Sequence, residues 1–369
     1  MDASDIPHHR LRQLRLTGPP LAAPPDVVRA LGAVQAQDYG PATWAVGQRV
    51  AGATAEAVDR AVDEGAILRT HVMRPTWHFV PAADIGWLQA LTAPRVHAQN
   101  AYYYRRFGLD ADAFAASHRA LTGALRGGNA VTRAQAQAIL ASAGIAASGL
   151  GLAYVLMHAE LAGLICSGPR AGKHHTYALL AERVTAPREL DRDGALAELA
   201  RRYFTSHGPA TAADFRWWSS LTAADVTRGI ELAGAAVTRH DVDGTAFWSA
   251  PHAETPHAET PHAETPPSVH LLQGYDEYIM GYTGDSKYLL DAAGHARFAG
   301  ADRPAFNHVL IVDGQVAGHW KRTVRRGGVH LDVALHRPLD GAGGRALRAA
   351  ADRHGRFLGL PATVATAPL

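Results

Sequence analysis

The chain has 369 residues, 47% hydrophobic and 19% charged, with a formal net charge of +2. That balance is globular, supplies material for a core and excludes wholesale disorder. One cysteine, Cys166, excludes an internal disulfide framework and a cysteine-based zinc site.

No apolar run reaches the roughly 20 residues of a membrane-spanning helix. The start, Met1 to His9, lacks the basic-then-apolar order of a signal peptide, so a cytoplasmic protein is expected. The cations are nearly all arginine, with Lys173, Lys287 and Lys321 the only lysines. They fall in clusters, as on a protein with one basic face and equally in ordinary enzymes.

Pro25 and Asp26 open a helix through Leu31. Thr54 caps another, and Ile67–Val72 and Thr76–Val80 read as a hairpin. The same order returns twice. Helices at 110–126, 132–141 and 149–163 precede paired strands at 164–167 and 175–179. Helices at 194–207, 211–219 and from 222 precede a hairpin across Val242-Asp243-Gly244. Three helices followed by a β-hairpin is the winged-helix plan, which places tandem units at 1–95, 96–190 and 191–250. Three copies of His-Ala-Glu-Thr-Pro run from His252 to Pro266. Their prolines forbid a helix, so 251–267 reads as a disordered linker. Residues 268–369 turn to strands, including Tyr278-Ile279-Met280, with a type I′ turn at Asp313-Gly314. A second hairpin follows at Arg326-Gly327-Gly328, and a helix from Gly343 to Phe357 closes the chain. The expected fold class is α+β: tandem winged-helix units followed by a C-terminal β-barrel-like module.

Gly168 to Lys173 lacks the spacing of a phosphate loop, and Gly341 to Ala346 has no following βα unit. His174-His175 has no companion cluster. No cofactor and no metal are expected. The unusual feature is Gln35 and Gln37, two residues apart after an apolar helix; they project side by side if the chain extends there, as Gly40-Pro41 suggests. On the residues alone, they either satisfy helix-end carbonyls or form a site.

Four segments then carry a resemblance: Val34-Gln35-Ala36-Gln37-Asp38; Leu68 to Val80; Leu271 to Tyr278; and Val312-Asp313-Gly314 with Gly318 to Arg322. In that order they look like the AlkZ/YcaQ family of winged-helix DNA glycosylases, which act on bulky alkylated bases and interstrand crosslinks. The resemblance implies that Gln35 and Gln37 form the catalytic Gln-x-Gln motif of the AlkZ-like branch, some of whose members protect producers of DNA-alkylating antibiotics. It also implies a nucleoid-associated monomer acting on double-stranded DNA, with Asp38 a lesser contributor. A carboxamide has no useful basicity, but an N7- or N3-alkylated purine is already cationic and leaves readily. Two amide oxygens then need only position water.

Duplex contacts are expected from Arg69, Arg74, Lys321, Arg322 and Arg325, with Lys173 a further candidate; each is otherwise an ordinary surface charge. Trp77, His78 and Trp320 read either as base contacts or as core. An open cleft suits crosslinked lesions better than a deep nucleobase pocket. Two other classes share these features: a non-catalytic winged-helix regulator, and a β-barrel small-molecule binder.

Overall fold

Three times along the chain the same order of elements recurs, each time from local signals. After α1 (Ile6–Gln13), the first unit opens with α2 (Pro24–Leu31), prolines in its first turn. It ends at Gly32, whose φ of +82° is open to glycine. There follow β1 (Val34–Gln35), α3 (Tyr39–Gly47), α4 (Ala55–Asp63), β2 (Ile67–Val72) and β3 (Arg74–Pro81), with strand order β1-β3-β2. The second unit has α6 (Ala111–Leu125), β4 (Val131–Thr132), α7 (Arg133–Ser142), α8 (Gly149–Leu161), β5 (Ile165–Ser167) and β6 (Thr176–Leu179), with order β4-β6-β5. Thr132 and Gln135 close a capping box on α7. In the third unit α10 (Arg192–His207), α11 (Ala212–Ser219) and α12 (Ala223–Ala233) lead into β7 (Thr238–Val242) and β8 (Thr245–Ser249). A lone bridge, Ala210 to Trp248, replaces the first strand. The four-residue α9 (Leu180–Arg183) ends the second unit. The first two units are joined by α5 (Ile85–Arg106), so the boundary predicted at 95/96 falls inside a continuous helix about 33 Å long.

The computed structural model describes residues 2–251, 266–283, 288–290 and 308–368. The His-Ala-Glu-Thr-Pro repeat predicted as a linker lies outside the described residues, save Pro266. The last module contains β9 (Val269–Leu272), α13 (Glu277–Met280), β10 (Val309–Val312), β11 (Gln315–Arg325), β12 (Gly328–Leu335), a C-terminal helix (Gly341–Phe357) and β13 (Ala362–Pro368). Asp313 and Gly314 both take positive φ, as a type I′ turn requires. Tyr278-Ile279-Met280, predicted as a strand, is helical because the Asp276 carboxylate caps the Tyr278 N–H. Strand β13 follows the helix read as closing the chain. It is largely exposed, so no buried alternation announced it. Among the described residues the sheet, ordered β13-β12-β11-β10-β9, is open, with no closed barrel.

One core runs through the first unit, the third unit and the C-terminal module and takes in Cys166 and Leu180 of the second; the rest of the second unit packs on Leu121, Leu140, Val155 and Ile165. Close fit is visible at Gly47, where any side chain would strike the Phe357 ring of the C-terminal helix.

Helices α5, α6 and α8 bring three histidines together. His158 Nδ1 lies 3.2 Å from His118 Nε2, and its ring stacks on Phe114 with His97 at 4.9 Å. Burial holds all three below the usual histidine range, His158 at about 4, where the like charges of His97 and His118 add to it. Below pH 6.5 the unfolded chain takes up protons that folded His158 refuses until about 4. Stability therefore falls as pH drops through that window. His158→Asn, which does not titrate there, is expected to narrow the gap between urea midpoints measured at about pH 7.5 and about pH 5. An unchanged gap counts against the cluster as its source.

Candidate active site

Gly32 stops α2, and the chain then extends along β3. Val34 lies opposite Phe79 and Gln35 opposite His78, and the Ala36 N–H donates to the Trp77 carbonyl at 2.7 Å. Residues 35 and 37 thus point to one side of an extended segment. The cause is Gly32 and this pairing rather than Gly40-Pro41, which form the first turn of α3.

Gln35 is 4% exposed, whereas Gln37 is open to solvent. The Gln35 amide oxygen accepts from Arg74 Nη2 at 3.0 Å. The Gln37 amide oxygen accepts from the Trp77 N–H at 3.2 Å. Only oxygen can accept, so both carboxamides have a fixed orientation, each oxygen keeping one further lone pair.

Arg69 and Arg74, predicted as phosphate contacts, have protein partners here. Arg69 donates to the carbonyls of Ala36 (3.0 Å) and Gln37 (3.3 Å), and its guanidinium lies 4.3 Å from the Trp77 ring centre. Burial lowers the pKa of both guanidiniums, against the attraction of Glu160 for Arg69 and of Glu277 for Arg74. They clamp the motif from beneath. His78 and Trp320 are core, and Trp77 is half-buried.

The C-terminal module closes the back of the site. The Gln35 backbone N–H donates to Glu277 Oε1 at 2.9 Å. Burial would raise the Glu277 pKa, but His207, the Gln35 N–H and Trp218 hold it below the usual range. Next to it, Asp276 accepts from Nη1 and Nη2 of Arg49 at 2.9 and 2.8 Å, and the Trp44 indole donates to the Leu271 carbonyl at 2.7 Å.

The family model described as "DNA glycosylase AlkZ-like" matches residues 28–357. The chain belongs to this family. It is 27% identical over 308 residues to the "Interstrand DNA cross-link repair glycosylase" of Streptomyces sahachiroi, covering 80% of this chain and 81% of that protein. Its fold is similar to the solved structure of "Streptomyces sahachiroi DNA glycosylase AlkZ", with a TM-score of 0.78 and 25% identity, covering 99% of this chain and 100% of that one.

Four further cations were expected at DNA. Lys321 and Arg325 are exposed on the β11–β12 hairpin. Arg322 is half-buried and turned to the motif: a methyl group at Gly40 would sit 3.4 Å from its Nη2. Burial lowers its pKa, with Asp38 opposing. Lys173 is exposed on the β5–β6 loop, whose His175 packs on Tyr39 at 4.5 Å. The sequence did not single out Glu277, because nothing local shows that it reaches residue 35. Among the described residues, no group of three or more His, Cys, Asp or Glu is arranged to hold a metal, and no helix is long and apolar enough to cross a membrane.

Proposed function

We propose that the chain is a monofunctional DNA glycosylase that hydrolyses the N-glycosidic bond of bulky N7- or N3-alkylated purines. It unhooks interstrand crosslinks, as the name of its Streptomyces relative suggests, and serves as self-resistance to a DNA-alkylating natural product. The observation that carries this is the pair of oriented carboxamides, Gln35 and Gln37, on an extended segment whose neighbour Gly40 lies against Arg322 of the β11–β12 hairpin. The cationic base departs toward an oxocarbenium-like sugar; the remaining amide lone pairs hold the attacking water in line, and a neutral base, which nothing here protonates, stays in place. The repeated units act as tandem winged helices and the C-terminal module as a barrel-like unit. The working protein is a cytoplasmic, nucleoid-associated monomer on double-stranded DNA.

Incubation with duplex carrying N7-methylguanine is expected to leave abasic sites that mild alkali cleaves. Sequence-dependent shifts on undamaged DNA with no cleavage would instead indicate a regulator. The exposed cations give a second readout. Lys321→Ala/Arg325→Ala is expected to reduce the slope of log affinity against log salt by about 2, since each phosphate contact releases about 0.9 counterion. An unchanged slope would remove the hairpin from the phosphate interface.

A further inference from the structure

β1 is an edge strand. Its Ala36 N–H bonds to β3, so the N–H of Gln35 points out of the sheet and needs a partner elsewhere. That partner is a carboxylate 242 residues further along the chain, Glu277 Oε1 at 2.9 Å. Glu277 is 1% exposed. Its second oxygen accepts from the Trp218 indole at 2.8 Å and lies 3.3 Å from His207 Nε2, both in the third unit. A buried carboxylate is costly unless its oxygens are occupied, and here the first and third units supply the occupants. Arg74 grips the same glutamine from the other side, through its side-chain oxygen. Peptide and amide of Gln35 are thus held independently.

We propose that Glu277 is a positioning residue for base excision. It fixes the Gln35 peptide, and through it the angle at which the Gln35 carboxamide meets the substrate, so that seating of the C-terminal module completes the site. This rests on the glycosylase reading of Gln35.

The test is a double-mutant cycle on the full chain, using single-turnover excision from N7-methylguanine duplex, with duplex Kd and urea midpoint measured for each variant. In Glu277→Gln, the new amide nitrogen must face either the Gln35 N–H or the Trp218 N–H, donor against donor. Its excision rate is expected to fall about 10²-fold with Kd nearly unchanged. In the Gln35→Ala background the same change is expected to cost nothing further, because the group it positions is gone. A Glu277→Gln rate within about threefold of the parent, or a loss that multiplies with that of Gln35→Ala, overturns the proposal. If Glu277→Gln does not fold, Glu277→Asp is read in the same cycle; its shorter arm keeps the charge near Trp218 and His207 but withdraws from Gln35. A Gln35→Ala rate equal to the parent overturns the underlying reading as well, and that comparison involves no change at Glu277.

Discussion

Replacing Gln35 and Gln37 together by alanine is expected to lower single-turnover excision of N7-methylguanine about 10³-fold, with duplex affinity at low salt nearly unchanged. The size follows from what the pair does. With a leaving group that is already cationic, little bond-making chemistry remains for the protein, and the barrier it removes lies mostly in placing water and stabilising charge. Losing one preorganised polar group at such a centre costs about 10²-fold or more, and losing both leaves binding alone. Affinity persists because the exposed cations Lys321 and Arg325 lie on another element. Stability is expected to change little at Gln37, which is exposed, and more at Gln35, whose removal strips Arg74 of its partner; denaturation curves therefore accompany the rates. Equal excision by the double variant and its parent would end the assignment of these residues as the catalytic pair.

Asp276→Ala is expected to destabilise the chain by about 4 kcal/mol, the largest structural effect of any single change considered. Both members of the Arg49–Asp276 pair have fully buried side chains. The carboxylate takes two guanidinium nitrogens, the Gln48 amide at 3.1 Å and the Tyr278 N–H at 3.0 Å. Alanine leaves an ionised guanidinium without a counter-charge in the seam between α3 and the C-terminal module, and removes the cap of α13. Replacing both partners by apolar groups, Arg49→Met/Asp276→Leu, is expected to cost less than the single change, since no orphaned charge remains. Urea denaturation reads both. A loss below about 1 kcal/mol for Asp276→Ala would mean that water reaches the seam.

Much of the fold was legible because its signals are local. Thr54 caps its helix as expected, Thr132, Thr211 and Thr222 cap the helices read after them, and Asp313-Gly314 makes its turn. The repeated helix-and-hairpin order needed no long-range information. The failures have physical reasons. An apolar run at 278–280 looks alike in a strand and in one buried helical turn; only the Asp276 cap decides it. β13 is a largely exposed edge strand whose inward face is only Ala362 and Val364, too short an apolar stripe to announce it. At the site, spacing marked Gln35 and Gln37 as unusual, and the family resemblance supplied their expected role. Arg69 and Arg74 were expected at phosphates, and the protein partners they have here were not legible, because a sequence does not say whether a guanidinium faces a phosphate or an oxygen of its own chain.

The bond from Gln35 to Glu277 closes a loop of 242 residues, with a consequence for the protein while it is being made. At about 5 to 20 residues per second, the ribosome needs about 12 to 48 s to travel from one partner to the other. For that interval the nascent chain has Arg69 and Arg74 beside its glutamines but lacks the carboxylate that meets the Gln35 N–H. On the proposal made for Glu277, the site is completed only after that residue has been made, late in translation rather than unit by unit.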